Sequence, residues 1–146
     1  MKPKKKATVK GATAKPPSLQ PHVLVVDDFE DTRFLYSEYL EFAGFRTSTA
    51  ENGAEAITKA RAEHPDVIAM DLSMPDMDGW EATRRLKADA ATRGICIIAL
   101  TGHAEAAFVE SAKKAGCDHF LAKPCLPEDL MREVIRCLAE QAKPSS

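Results

Sequence analysis

From Pro21 onward, short apolar runs alternate with amphipathic stretches. His22-Val-Leu-Val-Val26 is valine-rich and too short for a helix, so it reads as a buried strand. Leu35, Tyr39 and Phe42 recur at helical spacing between Glu30 and Ala43, and Gly44 stands where a helix would stop. Phe45 to Thr49 is predicted as the second strand and Ala54 to Glu63 as the second helix. His64-Pro65-Asp66 breaks the chain, because proline cannot continue a helix and restricts the residue before it. Val67 to Met70 is strand three, ending at Asp71, and the loop from Ser73 to Gly79 leads into a helix from Trp80 to about Asp89. Cys96 to Leu100 is strand four, followed by a helix from about Glu105 to Ala115 that Gly116 closes. His119 to Ala122 is strand five, and a last helix spans Pro127 to Gln141, with proline suited to its first turn.

Five strand–helix units in order predict an α/β fold, a doubly wound parallel sheet with helices on both faces. No internal repeat is visible and no linker breaks residues 22–142. A length of 146 residues suits one domain, and 45% apolar with 29% charged residues is a globular balance. The longest apolar run, Ile95 to Leu100, falls far short of the roughly 20 residues that cross a bilayer. The net charge of -2 hides an asymmetry: residues 1–21 hold six lysines and no acid. The remainder carries 14 basic against 22 acidic residues, which makes it a poor nucleic-acid binder by itself. Residues 1–20 therefore read as a basic, solvated extension without the apolar segment of a secretory signal, and 143–146 as a short polar tail. Cys96, Cys117, Cys125 and Cys137 show no C-x-x-C pair and no histidine at zinc-finger spacing. They read as reduced, inert thiols of a cytoplasmic protein.

Ligands of such sheets gather beyond the carboxyl ends of the strands. There strand one ends at Asp27-Asp28, strand three at Asp71, strand four at Thr101 and strand five at Lys123-Pro124. Clustered carboxylates repel by about 4 kcal/mol per close pair at an effective dielectric of 20. Protons or a cation must offset that cost, and oxygen ligands without His or Cys suit Mg2+. Magnesium held this way polarises phosphoryl oxygens, a lysine neutralises another, and a hydroxyl such as that of Thr101 donates to a third. A carboxylate can then act as nucleophile and form an aspartyl phosphate.

Asp27-Asp28, Asp71 with Met74-Pro-x-Met-Asp-Gly79, Thr101 and Phe120-x-x-Lys123-Pro124 together resemble the receiver domain of two-component response regulators, over about 120 residues. The resemblance implies a flavodoxin-like sheet of order 2-1-3-4-5 with five helices, formed by residues 21–142. It implies Asp71 as phosphoacceptor from a sensor histidine kinase or a histidine phosphotransfer protein. Mg2+ would sit on Asp27, Asp28, Asp71 and the backbone carbonyl of Ser73. Thr101 would swing toward the phosphoryl group, Lys123 would pair with it, and the Lys123–Pro124 bond would be cis. Phe120 would be the switch aromatic; lacking a tyrosine hydroxyl, it would report by packing, at a face made of helix 4, strand 5 and helix 5. A stand-alone regulator of this kind is no classical enzyme, although self-catalysed phosphotransfer and slow autodephosphorylation are expected. Its output is an unknown protein target or a phosphorylation-dependent homodimer, with neither direct DNA binding nor a membrane.

Two other functions fit parts of the pattern. A Mg2+-dependent phosphohydrolase working through an aspartyl phosphate usually carries D-x-D after strand one and a cap, whereas here strand one ends in Asp27-Asp28-Phe29. A phosphorylation-independent scaffold would not need the complete set of acids, threonine and lysine. Ser73 and His103 fall at positions that tune dephosphorylation in the family, with His103 read as an exposed loop residue. Asp76 and Asp78 read as loop and cap acids, and Trp80 as a packing residue. Arg84-Arg85 and Lys113-Lys114 read as solvated helix faces, and His22, His64 and His119 as dispersed residues that form no metal set.

Overall fold

The structure, a computed structural model, describes residues 20–74, 79–102 and 106–142. Ten elements alternate: β1 His22–Val26, α1 Glu30–Phe42, β2 Arg46–Ala50, α2 Gly53–Glu63, β3 Val67–Asp71, α3 Gly79–Ala88, β4 Cys96–Thr101, α4 Ala106–Ala115, β5 His119–Ala122 and α5 Pro127–Ala142. All four strand pairings are parallel, as the residue pattern predicts, and the order is β2-β1-β3-β4-β5, as the resemblance implies.

The continuous apolar runs of β1, β3 and β4 are buried on both faces because alternate residues serve opposite layers. Leu24, Val26, Ile68, Met70, Ile97 and Ala99 pack with Ala56 and Ala60 of α2, Ala82 and Leu86 of α3, and Ala112 of α4. Val23, Val25, Val67, Ala69, Ile98 and Leu100 pack instead with Tyr36 and Leu40 of α1 and Leu130 and Val134 of α5. The edge strand β2, Arg-Thr-Ser-Thr-Ala, is only partly covered and accordingly polar. Among the described residues no helix is long and apolar enough to cross a membrane.

Three local expectations change. Strand β2 starts one residue later than predicted because Phe45 closes the turn that follows α1. Its N–H donates to the Leu40 carbonyl (3.0 Å) and that of Gly44 to Glu41 (3.0 Å), a helix stop that needs the φ of +105° at Gly44. Second, α1 turns Tyr36 and Leu40 inward, while Leu35 and Phe42 stay exposed. The Tyr36 hydroxyl donates to the Cys125 carbonyl (3.0 Å), tying α1 to the segment before α5.

Third, the cysteines are not all reduced. Cys96 and Cys137 form a disulfide, their Cα atoms 6.0 Å apart across 41 residues of sequence. Sequence spacing does not expose this proximity, which arises because α5 packs back over β4. With it falls the cysteine-based argument for a reducing compartment. Cys117 and Cys125 are free thiols, as expected. Burial pushes the Cys117 thiol up to about 11, with Asp118 adding to the shift while the Thr83 contact and Lys87 oppose it, so it is chemically quiet.

At Gly79 the first turn of α3 lies directly on the backbone behind β3. A Cβ there would collide with the Asp71 carbonyl oxygen and stand 2.8 Å from the Leu72 Cα, neither of which is a flexible side chain. Gly79→Ala is therefore expected to lower unfolding free energy by about 1–3 kcal/mol. Urea denaturation of the two chains checks this, and equal midpoints would count against the close approach.

Candidate functional site

Asp71 is the last residue of β3, Thr101 the last of β4, and Asp27 and Lys123 directly follow β1 and β5. Parallel pairing sets these ends side by side, with Asp71 in register with Leu100 and Thr101 with Ala122. Asp27 and Asp71 are 1% and 2% exposed, Thr101 is buried and Asp28 is exposed. Asp27, Asp28 and Asp71 each offer a carboxylate oxygen, all within 4.8 Å of one another.

The two buried acids are held alike. Asp27 Oδ1 accepts from the Phe29 N–H (2.9 Å) and Asp71 Oδ1 from the Ser73 N–H (2.9 Å). Their Oδ2 atoms converge on Lys123, whose Nζ donates to Asp27 at 3.2 Å and Asp71 at 3.4 Å. The lysine's own N–H donates to the Thr101 carbonyl (2.7 Å), anchoring its backbone on β4, and the Lys123–Pro124 bond is cis. Arg33 Nη1 donates to the Asp27 carbonyl (2.8 Å). No motif in the sequence singled out this arginine, which reaches the site only because α1 folds back along β1.

Burial raises the Asp71 carboxyl above the ordinary range; the Ser73 N–H and Lys123 pull it back, and Asp27 adds to the rise. Burial acts on Lys123 to disfavour its charge, yet Asp71 and Asp27 outweigh that and leave its pKa raised. The three carboxylates outnumber the Lys123 ammonium and the Arg33 guanidinium that reaches the Asp27 carbonyl, so this group of residues stays negative when all are ionised. The all-oxygen donor set and that excess fit a hard divalent cation such as Mg2+.

Ser73 is exposed, with its N–H on Asp71. Phe120 lies in β5 beside Ala99, half-buried against the layer under α2, α3 and α4. Trp80 packs on that same layer and pairs with Phe108 of α4, ring centroids 6.1 Å apart, so it is a packing residue as predicted. Arg84, Arg85, Lys113 and Lys114 lie on exposed helix faces. His103, Asp76 and Asp78 lie outside the described residues. His22 is buried with its Nε2 2.8 Å from Ser48 Oγ, and His64 ends α2 with a φ of 50°. His119 departs from the expectation: it lies beside Cys96 and Cys137, in a group separate from Asp27, Asp28 and Asp71.

Comparison with known proteins agrees with this geometry. The family model described as the response regulator receiver domain matches residues 23–135. The chain is 36% identical over 102 residues to the polar-differentiation response regulator DivK of Brucella ovis, covering 70% of this chain and 83% of DivK. Its fold is similar to that of the chemotaxis response regulator CheY4 of Vibrio cholerae, with a TM-score of 0.77, 32% identity, and coverage of 81% and 98% of the two chains. It is also similar to the receiver domain of a sensor histidine kinase from Pseudomonas aeruginosa, whose structure holds a magnesium ion in the active-site cleft. There the TM-score is 0.76 and the identity 31%, over 82% of this chain and 98% of the other. The chain belongs to the receiver-domain family of two-component response regulators, signalling proteins rather than classical enzymes. Members of that family generally bind Mg2+ and meet histidine kinases or phosphotransfer proteins.

The raised Asp71 carboxyl has a signed consequence for stability. The folded chain holds its proton more tightly than the unfolded chain, so the group favours folding at low pH, and that contribution is lost as pH rises through the folded pKa. Without a divalent cation, Asp71→Asn is therefore expected to be more stable than the parent chain at neutral pH. The difference should shrink as pH falls through the carboxylate range. Urea midpoints in a chelator across that range provide the check, and a less stable variant at neutral pH would contradict the assigned cause.

Proposed function

We propose that this chain accepts a phosphoryl group on Asp71 from the phosphohistidine of a sensor kinase or a histidine phosphotransfer protein. The observation that carries the proposal is the convergence of buried Asp27 and Asp71 on the Lys123 ammonium, with Asp28 completing the acid cluster. An Asp71 carboxylate oxygen forms the new O–P bond while the N–P bond breaks, and the departing imidazole nitrogen keeps the electron pair. Asp27, Asp28, Asp71 and the Ser73 carbonyl would hold Mg2+, which when bound offsets the crowded carboxylates and polarises the phosphoryl oxygens. Lys123, already between Asp27 and Asp71, pairs with a further phosphoryl oxygen, and the Thr101 hydroxyl donates to another.

The same event is the signal. Thr101 moving toward the phosphoryl group vacates space beside Phe120, and rotation of that ring repacks α4, β5 and α5. Phe120 carries no hydroxyl, so the change is transmitted by shape, as a shift between two packings that phosphorylation weights differently. We assign residues 21–142 as the receiver unit, with the basic 1–20 and polar 143–146 segments outside it. We further infer that the chain works in the cytoplasm, signals to a protein target or through its own phosphorylated dimer, and loses its phosphate slowly by itself.

Incubation with a small phosphodonor is expected to label the chain once, slowly and only with Mg2+. Asp71→Asn should abolish labelling, and Lys123→Ala should slow it about a hundredfold. Mapping the acid-stable borohydride-reduced site by mass spectrometry checks the position. Undiminished labelling of Asp71→Asn, or rapid turnover of phosphate esters, would overturn the assignment.

A further inference from the structure

Strands β4 and β5 carry a second cluster at their opposite, amino ends. Cys96 opens β4, His119 opens β5, and Cys137 lies in α5 above them. Ligand atoms of these three residues all lie within 4.8 Å of one another. The cluster stands about 16 Å along β4 from Thr101, at about 3.3 Å per residue.

The disulfide accounts for two members of this group and leaves His119 to be explained. Its ring is 14% exposed and bracketed by carboxylates, with Nδ1 3.1 Å from Glu133 Oε1 and Nε2 2.9 Å from Glu140 Oε1. Glu133, Cys137 and Glu140 occur at i, i+4 and i+7 on α5, so one helix face presents carboxylate, sulfur and carboxylate to the imidazole. Glu133 is 14% exposed and Glu140 57%, which makes Glu133 the fixed partner and Glu140 the displaceable one. A histidine held on one ring nitrogen by a partly buried carboxylate, with two sulfurs beside it, has the donor chemistry of a thiolate–imidazole metal centre.

We propose that Cys96, Cys137 and His119 form a binding site for a borderline-soft divalent cation of the zinc class, opened by reduction of the disulfide. The Cα separation of 6.0 Å suits both states: a direct S–S bond, or two thiolates sharing one cation at about 2.3 Å each. A dithiol reductant breaks the Cys96–Cys137 bond, supplies two electrons and two protons to give two S–H groups, and becomes a disulfide itself. The cation then replaces those two protons, which pass to solvent. His119 Nε2 is the third ligand, Glu133 holds Nδ1, and Glu140 or water takes the fourth position. The acid cluster around Asp71 offers only oxygen, so the two sites select different ions.

The full-length chain, reduced with a dithiol and desalted under anaerobic conditions, is titrated with Co2+ in excess Mg2+. A thiolate-to-cobalt charge-transfer band is expected at one cobalt per chain, bleached by Zn2+, and absent from the oxidised chain. The band should survive Cys117→Ser/Cys125→Ser and vanish in Cys137→Ser. Glu133→Gln should weaken zinc binding about 10- to 100-fold, and His119→Gln more. No band in the reduced parent chain would overturn the proposal without reference to any variant's folding. So would an undiminished affinity in His119→Gln, or a band in the oxidised chain. None of these readouts involves Asp71, so the outcome is separate from that of the phosphoryl-transfer proposal.

Discussion

Two buried carboxylates, Asp27 and Asp71, face one half-covered ammonium, and the third carboxylate of Asp28 stands within reach of both. Such crowding is unfavourable on electrostatic grounds alone. It persists because the backbone leaves the side chains little choice. Each buried acid has one oxygen tied to the N–H two residues ahead, and each stands at the end of a strand whose own residues are all buried. The sheet holds the charges together, and the apolar layers beneath it supply the free energy that makes this tolerable. Lys123 relieves part of the cost, and the raised Asp71 carboxyl measures what remains. A cluster of carboxylates that outnumbers its cationic side chains is poised to take up a divalent cation.

Much of this could be seen in the chain before it folds. Short strand-like runs, apolar throughout in β1, β3 and β4 and each followed by a helical period, specify parallel strands, and parallel strands bring their carboxyl ends to one edge. Asp27, Asp28, Asp71, Thr101 and Lys123 could therefore be grouped although nearly a hundred residues separate the first from the last. What escaped depended on side-chain direction or on contacts without a sequence period. Leu35 and Phe42 have helical spacing but point away from the sheet, while Tyr36 and Leu40 face it. Arg33 reaches the Asp27 carbonyl through the angle of α1, which no local pattern encodes. The Cys96–Cys137 bond joins a strand to a helix 41 residues later, and such pairings follow from packing rather than from spacing.

The helices are not held equally. Helix α5 buries Leu130, Val134 and Cys137 and is bonded to β4 through the last of these. Helix α4 buries only Ala112 and Ala115, so far less apolar area opposes its displacement. Beside it β5 is a four-residue edge strand, only partly buried. In the proposed switch this inequality decides which parts yield. Repacking around Phe120 would displace α4 and the rim of β5 before it displaced α5. The Trp80–Phe108 pair, which bridges α3 and α4, would move with it.

The hold on α5 is then set by chemistry at the far end of the same strands. β4 has Thr101 beside the acids and Cys96 beneath α5, and β5 runs from His119 to the residue before Lys123. At one end oxygen donors face a lysine; at the other, sulfur and imidazole face two carboxylates. Hard and borderline-soft donor sets favour different cations, so events at the two ends can be governed separately. They share only the two strands and the helix lying over them. A change in how α5 is fastened, from disulfide to free thiols or to a bridging ion, therefore alters how the opposite layer holds β4 and β5, the strands that carry Thr101 and Phe120, without touching a ligand of the phosphoacceptor.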